Sequence, residues 1–155
     1  MLDALTLFID RLKNGSKQLI EGSFAPDFLE LDEPELKCAH PVVLRLEAYI
    51  AEEHLVLHFS ASTMVAMPCA ICNAMILHPI RVENVVVPES LSDMTAGTYD
   101  VSPAVREALL IELPRTVECN QGRCPARVAL EPYLRSQARV EQTTHFPFSD
   151  LEIKP

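Results

Sequence analysis

The chain has 155 residues, of which 48% are hydrophobic, and its formal net charge is −9. This length and composition are typical of one domain with a hydrophobic core, and we treat residues 1–155 as a single domain. Charged side chains interrupt every long apolar stretch and no secretory signal pattern is visible, so we expect a cytoplasmic protein that neither crosses nor binds a membrane.

The first 24 residues predict one ambiguous element, a turn and a strand. Apolar side chains alternate over residues 5–9, which favours a strand, although Asp3 could instead cap a short helix over residues 4–12. Asn14-Gly15-Ser16 predicts a turn, because asparagine and glycine tolerate positive φ angles. A short strand over residues 18–24 should follow.

Three alternating apolar runs predict the centre of the fold. A helical turn over residues 26–31 and a solvated, mobile acidic loop over residues 32–35 lead into them. The runs cover residues 43–50, 55–59 and 76–87. Glu52 and Glu53 separate the first two runs, as expected for a hairpin, and the third is rich in β-branched residues. The pattern predicts an antiparallel sheet within residues 41–88.

The clearest helical signal follows the sheet. Ser102 is a suitable N-cap, and Pro103 suits the first helical position. Apolar residues then recur until Pro114, so we expect a helix over residues 103–113 that packs against the sheet.

The region after this helix contains few large apolar side chains. We expect loops from Cys119 onwards and a short closing segment that docks through Phe146 and Phe148. The predicted fold class is therefore α+β, with an antiparallel β-sheet core, one main helix and a loop-rich C-terminal region.

Five cysteines carry the strongest chemical signal. Thiols stay reduced in the cytosol, so a disulfide scaffold is not expected. Cys69-x-x-Cys72 is a spacing that binds Zn²⁺ from a tight turn, and Cys119 and Cys124 offer the second pair that a tetrahedral site needs. One structural Zn²⁺ held by these four residues is one interpretation, and buried or idle thiols are the other. Cys38 stands alone and should pack as a small apolar side chain.

No catalytic motif is present, and we do not expect an enzyme. A thioredoxin-like use of the C-x-x-C pair would require a helix to begin at Cys69, whereas the residues that follow are strand-like. Among the histidines, only His78 lies near enough in sequence to Cys72 to be a substitute ligand.

A net positive charge is confined to one region. Residues 101–139 contain six arginines and four glutamates, although the chain as a whole is acidic. This region either forms a solvated surface or grips phosphate groups, and base stacking is not expected because Tyr133 is the only aromatic ring nearby. The candidate RNA-binding or partner-binding residues are Arg115, Arg123, Arg127 and Arg135.

The order of these features resembles the YceD family of large-ribosomal-RNA accumulation proteins over nearly the whole chain. The motifs that carry the resemblance are Leu12-Lys13-Asn14-Gly15, Cys69-x-x-Cys72, Glu112-Leu113-Pro114, Gly122-Arg123-Cys124-Pro125 and the segment from Phe146 to Leu151. Many relatives have arginine where this chain has Ala70-Ile71, and a further cysteine where it has Ala126-Arg127.

The resemblance implies a non-enzymatic ribosome-biogenesis factor that supports the accumulation of large-subunit ribosomal RNA. Its partner would be pre-ribosomal large-subunit RNA or a ribosomal protein. Two alternatives remain: a zinc-dependent or thiol-redox protein that uses the C-x-x-C pair, and an acidic adaptor whose cysteines only pack. The sequence predicts no particular oligomeric state.

Overall fold

The N-terminal third of the protein consists of short elements. The computed structural model describes residues 2–133. In chain order the first elements are a 3₁₀ turn (Leu2–Leu5), β1 (Thr6–Phe8), α1 (Ile9–Leu12), β2 (Gln18–Phe24), a second 3₁₀ turn (Pro26–Leu29), β3 (Asp32–Glu33) and β4 (Leu36–Lys37). Gly15 has a φ angle of +78°, which explains why the predicted turn requires a glycine there.

Three long strands and one helix follow. The strands are β5 (Val42–Ala51), β6 (His54–Pro68) and β7 (Met75–Ser90). After them come a 3₁₀ turn (Leu91–Asp93), β8 (Thr98–Asp100), α2 (Ser102–Ile111), a tight turn (Cys119–Gly122) and a final 3₁₀ segment (Pro125–Leu130). No helix within residues 2–133 is long and apolar enough to span a bilayer.

The larger sheet is antiparallel throughout. Its strands lie in the order β2-β5-β6-β4-β3, and β7 also pairs with β6. Alternate side chains of β5 and β6 are buried, including Leu44, Leu46, Leu57 and Phe59, whereas their neighbours face outward. This period of two places one face of the sheet on the hydrophobic core.

A β-bulge separates the two halves of the β6–β7 pairing. Phe59 pairs with Val85, but Ala61 pairs with Val82, so β7 carries an extra residue. Asn84 adopts a φ angle of 54° at this point, and its backbone N–H donates to Ser60 Oγ at 3.1 Å. Pairing then continues to Pro68 and Met75, which brings the two strands to a shared tight turn.

The helix α2 covers the core from the other side. Its buried residues Val105 and Leu109 join the same hydrophobic cluster as the sheet, and α2 contacts both β6 and β7. The helix follows directly from β8, which pairs with β1 in a separate two-stranded sheet. Asp100, the last residue of β8, accepts the Ser102 backbone N–H at 2.9 Å.

The predicted α+β class, the antiparallel sheet and the β2 strand are confirmed. The first element was predicted as either a strand or a helix, but it divides into a 3₁₀ turn, β1 and α1. The acidic segment 32–35 was predicted as a loop, which was wrong for its first half: Asp32 pairs with Lys37 and Glu33 with Leu36, whereas residues 34–35 form the turn between these strands.

Two predicted details of α2 were also wrong. The helix is Ser102–Ile111 rather than 103–113, and Ser102 is a helical residue instead of the N-cap. Val101 is the N-cap residue, and the carboxylate of Asp100 accepts the N–H of Ser102, the first residue of the helix. The predicted closing segment with Phe146 and Phe148 lies outside residues 2–133.

Candidate metal centre

The first thiol pair lies on the turn that joins β6 to β7. Cys69 follows the last residue of β6, and its backbone N–H donates to the Ala74 carbonyl at 2.8 Å. The Asn73 N–H donates back to the Cys69 carbonyl at 2.9 Å, and Asn73 has a φ angle of 64°. These bonds close a tight turn that brings Cys69 and Cys72 to the same side.

The second thiol pair is brought to this turn by the segment after α2. Val117 forms a parallel bridge with Cys69, and the Ala70 N–H donates to the Val117 carbonyl at 2.8 Å. The chain then turns sharply through three residues in the left-handed backbone conformation. Asn120, Gln121 and Gly122 have φ angles of 54°, 55° and 82°. The turn carries Cys119 on one side and Cys124 on the other.

The four predicted cysteines meet in one cluster. The sulfur atoms of Cys69, Cys72, Cys119 and Cys124 all lie within 4.8 Å of one another. None forms a disulfide, and the Sγ atoms of Cys72 and Cys119 are 3.7 Å apart. Four thiolates around a tetrahedral Zn²⁺, with Zn–S bonds of about 2.3 Å, would have sulfur atoms about 3.8 Å apart. The cluster could therefore hold a metal ion.

Backbone N–H groups close to the Cys69 sulfur favour its ionised form. The N–H groups of Ile71 and Cys119 lie 3.4 and 3.3 Å from Cys69 Sγ. Hydrogen bonds from the backbone of Cys72, and then of Cys119, lower the pKa of Cys69 to about 6. These backbone hydrogen bonds outweigh the effect of burial, which raises the pKa, and favour a thiolate at Cys69 near neutral pH.

The thiols of the second pair behave in the opposite way. A hydrogen bond between the side chains of Cys119 and Cys124, together with burial, raises the pKa of Cys119 to about 12. Burial also raises the pKa of Cys124. A bound cation favours deprotonation of coordinating thiols, so this donor set suits a divalent metal that accepts sulfur ligands.

A carboxylate supports the second pair. Glu118 Oε1 accepts the Cys124 backbone N–H at 2.8 Å and the Arg127 Nε–H at 3.0 Å, and Arg127 Nη2 lies 2.5 Å from Glu118 Oε2. Hydrogen bonding to Arg127, followed by the bond from Cys124, lowers the pKa of Glu118 to about 2. The Glu118–Arg127 ion pair therefore fixes the backbone at Cys124. Sequence reasoning missed Glu118, because no periodic pattern relates it to Arg127.

Replacing Glu118 with glutamine should weaken metal binding without removing a ligand. The substitution removes the charge that Arg127 pairs with and weakens the bond to the Cys124 backbone. Losses of such outer contacts typically reduce metal affinity about 10- to 100-fold. Competition with a chromophoric zinc chelator measures this change. Glu112→Gln, at an exposed position that makes no ion pair within residues 2–133, is the matched control, and equal affinities of the two variants would contradict the role of Glu118.

Cys38 and His78 lie outside the cluster. Cys38 Sγ is 3.4 Å from Thr63 Oγ1 and is partly buried, which agrees with the packing role predicted for it. His78 lies near the start of β7, where it pairs with Val65, and is not among the potential ligands.

The predicted arginines fall into three situations. Arg115 and Arg123 are exposed, and no carboxylate within residues 2–133 forms an ion pair with either. Arg127 is held by Glu118 and contributes to the architecture of the cysteine cluster. Arg135 lies outside the part of the chain that the structure describes.

No family model, curated protein or solved structure matches this chain.

The chemistry of the candidate centre follows from its surroundings. Cys69 follows strand β6, and the residues after Cys72 lead into β7, so the helix that a thioredoxin-like thiol requires does not follow Cys69. Four convergent thiols complete a tetrahedral ligand set, which is typical of structural rather than catalytic metal sites.

Proposed function

We propose that Cys69, Cys72, Cys119 and Cys124 hold one structural Zn²⁺. Sulfur-only ligands and tetrahedral spacing favour zinc over harder cations. Such an ion would tie the β6–β7 turn to the segment after α2. The Val117 bridge supports this proposal because it holds the two thiol pairs together, and the Glu118–Arg127 pair supports it because it fixes the backbone at Cys124 within the second pair.

We further propose that the protein is a non-enzymatic factor that supports accumulation of large-subunit ribosomal RNA. One observation carries this proposal: Cys69-x-x-Cys72 and Gly122-Arg123-Cys124-Pro125, two motifs of the resemblance to the YceD family, contribute to a single cluster. Cys72 of the first motif and Cys119, which lies just before the second motif, are 47 positions apart in sequence. Their meeting is the arrangement expected if the two motifs act as one structural unit.

Two kinds of contact are available to such a factor. Arg115 and Arg123 could grip phosphate groups of pre-ribosomal RNA, because both are exposed and neither is neutralised by a carboxylate within residues 2–133. The acidic remainder of the surface could instead attract a basic ribosomal protein. Both contacts are compatible with a role in large-subunit production.

Depletion of the protein should lower large-subunit ribosomal RNA relative to small-subunit RNA. A factor required for accumulation acts before the mature particle, so the protein itself should sediment with large-subunit precursors on a sucrose gradient. Quantification of both RNAs, with re-expression of the full chain as the control, measures the effect. Sedimentation only with free protein, together with an unchanged RNA ratio, would contradict the proposed function.

A further inference from the structure

Three adjoining cavities follow the exposed side of α2. Their volumes are about 720, 340 and 340 Å³. The first and second share Glu107 and Ile111, the first and third share Asp100, and all three share Pro103. We name this continuous depression, which Tyr99 also lines, the α2 groove.

The walls of the α2 groove are strongly acidic. The carboxylates that line it are Glu30, Glu89, Asp93, Asp100 and Glu107. Arg106 is the one cation among the lining residues of the three cavities, and its Nη2 lies 3.8 Å from Glu30 Oε2. The Arg106 Nε–H also donates to the Leu29 carbonyl at 2.9 Å, which fixes the position of the guanidinium group. The groove therefore attracts positive charge.

Apolar side chains are left uncovered within this acidic frame. Ile111, the last residue of α2, is 72% exposed, whereas Leu109 on the buried side of the helix is 0% exposed. Phe28 and Leu110 lie beside Ile111 in the largest cavity, and Val85 lies beside it in the second. A ligand that covers these side chains would gain hydrophobic contact as well as charge.

The start of α2 is not available to an anion. The Ser102 N–H already donates to Asp100, and Pro103 has no N–H to offer. Ser102 is 6% exposed, and its Oγ has no hydrogen-bond partner within residues 2–133. A phosphate group at this end would also face the Asp100 carboxylate. The dipole of the helix therefore does not outweigh the acidic surroundings.

We propose that the α2 groove binds a cationic, amphipathic segment of a partner protein. Lysine or arginine side chains would pair with Asp100 and Glu107, and a large apolar side chain would pack on Ile111 and Phe28. The proposal deepens the proposed function, on which it rests for the ribosomal identity of the partner. It assigns partner recognition to a basic protein, because the same carboxylates repel an RNA backbone.

A synthetic peptide tests this surface without ribosomal material. We expect a fluorescein-labelled peptide of six lysines and six leucines to bind the full chain, with an affinity that falls as salt rises. Glu107→Lys should raise the Kd about tenfold, because like charges then meet in the groove. Glu112→Lys makes the same charge change at an exposed position that does not line the groove and should alter the Kd less than about twofold. Ile111→Ser should also raise the Kd.

Three outcomes would overturn the proposal. The first is an equal effect of Glu107→Lys and Glu112→Lys, and the second is equally tight binding by a peptide with serine in place of leucine. The third is failure of the peptide to bind, while a large-subunit RNA fragment binds and loses affinity in the Arg115→Gln, Arg123→Gln double variant. Circular dichroism of each variant checks its fold. An unchanged RNA ratio on depletion would contradict the ribosomal role but leave a positive peptide result intact.

Discussion

Replacing Cys69 with serine is expected to abolish stoichiometric zinc binding and to lower the melting temperature. Cys69 is 2% exposed at the centre of the cluster, and the Cys119 backbone N–H points at its sulfur. Zinc that binds only the folded chain stabilises it by about 4 kcal/mol when free zinc exceeds the Kd 1,000-fold. Differential scanning calorimetry with and without a chelator measures the loss.

Cys38→Ser is the matched control for this substitution. Cys38 is a partly buried thiol whose sulfur contacts Thr63 rather than the cluster. This variant should keep one zinc per chain and should lose stability on chelation as the parent does. The assignment would be contradicted if Cys69→Ser retained one zinc per chain. It would also be contradicted if the chelator left the melting temperature of the parent unchanged.

Replacing Phe59 with alanine should reduce the free energy of unfolding by about 3–5 kcal/mol. Phe59 is 2% exposed and lies on the central strand β6, paired with Leu46 of β5 and Val85 of β7. Truncation would leave a cavity in the hydrophobic cluster that Phe59 shares with buried residues of β5 and α2. Urea unfolding of the zinc-loaded protein, followed by circular dichroism, gives this difference.

Val43→Thr provides the comparison within the same sheet. Val43 is 56% exposed on the opposite face of β5, and threonine keeps the β-branched shape that suits a strand. Its unfolding free energy should change by less than about 0.5 kcal/mol. If Phe59→Ala lowers the free energy of unfolding no more than Val43→Thr does, the buried face of the sheet has been assigned incorrectly.

The large sheet was predictable because one of its faces is covered. Burial of alternate residues produces a period of two that is visible in the sequence of β5 and of the first half of β6. The bulge at Asn84 was not visible, because the β-branched run over residues 76–87 hides a single inserted residue.

The short hairpin of β3 and β4 was missed because its partner is distant. Residues 32–35 are acidic and read locally as a solvated loop. Lys37, however, pairs with Ala66 on β6, which fixes the hairpin at the edge of the sheet. Local composition carries no information about such a long-range pairing.

The ligands of the candidate metal centre could be predicted from cysteine spacing, but the contacts that support them could not. The two cysteine pairs were recognisable because each pair spans a turn, and the structure brings all four together. The backbone bridge at Val117 and the support from Glu118 depend on where the segment after α2 returns to the sheet. Neither involves a residue type or an interval that marks a metal site.

X-ray absorption spectroscopy at the zinc edge tests the central claim most directly. Protein purified without chelator should contain one zinc per chain, surrounded by four sulfur atoms at about 2.3 Å. Substoichiometric zinc, or a first shell in which nitrogen or oxygen replaces one or more of the sulfur atoms of Cys69, Cys72, Cys119 and Cys124, would contradict a structural four-cysteine zinc site.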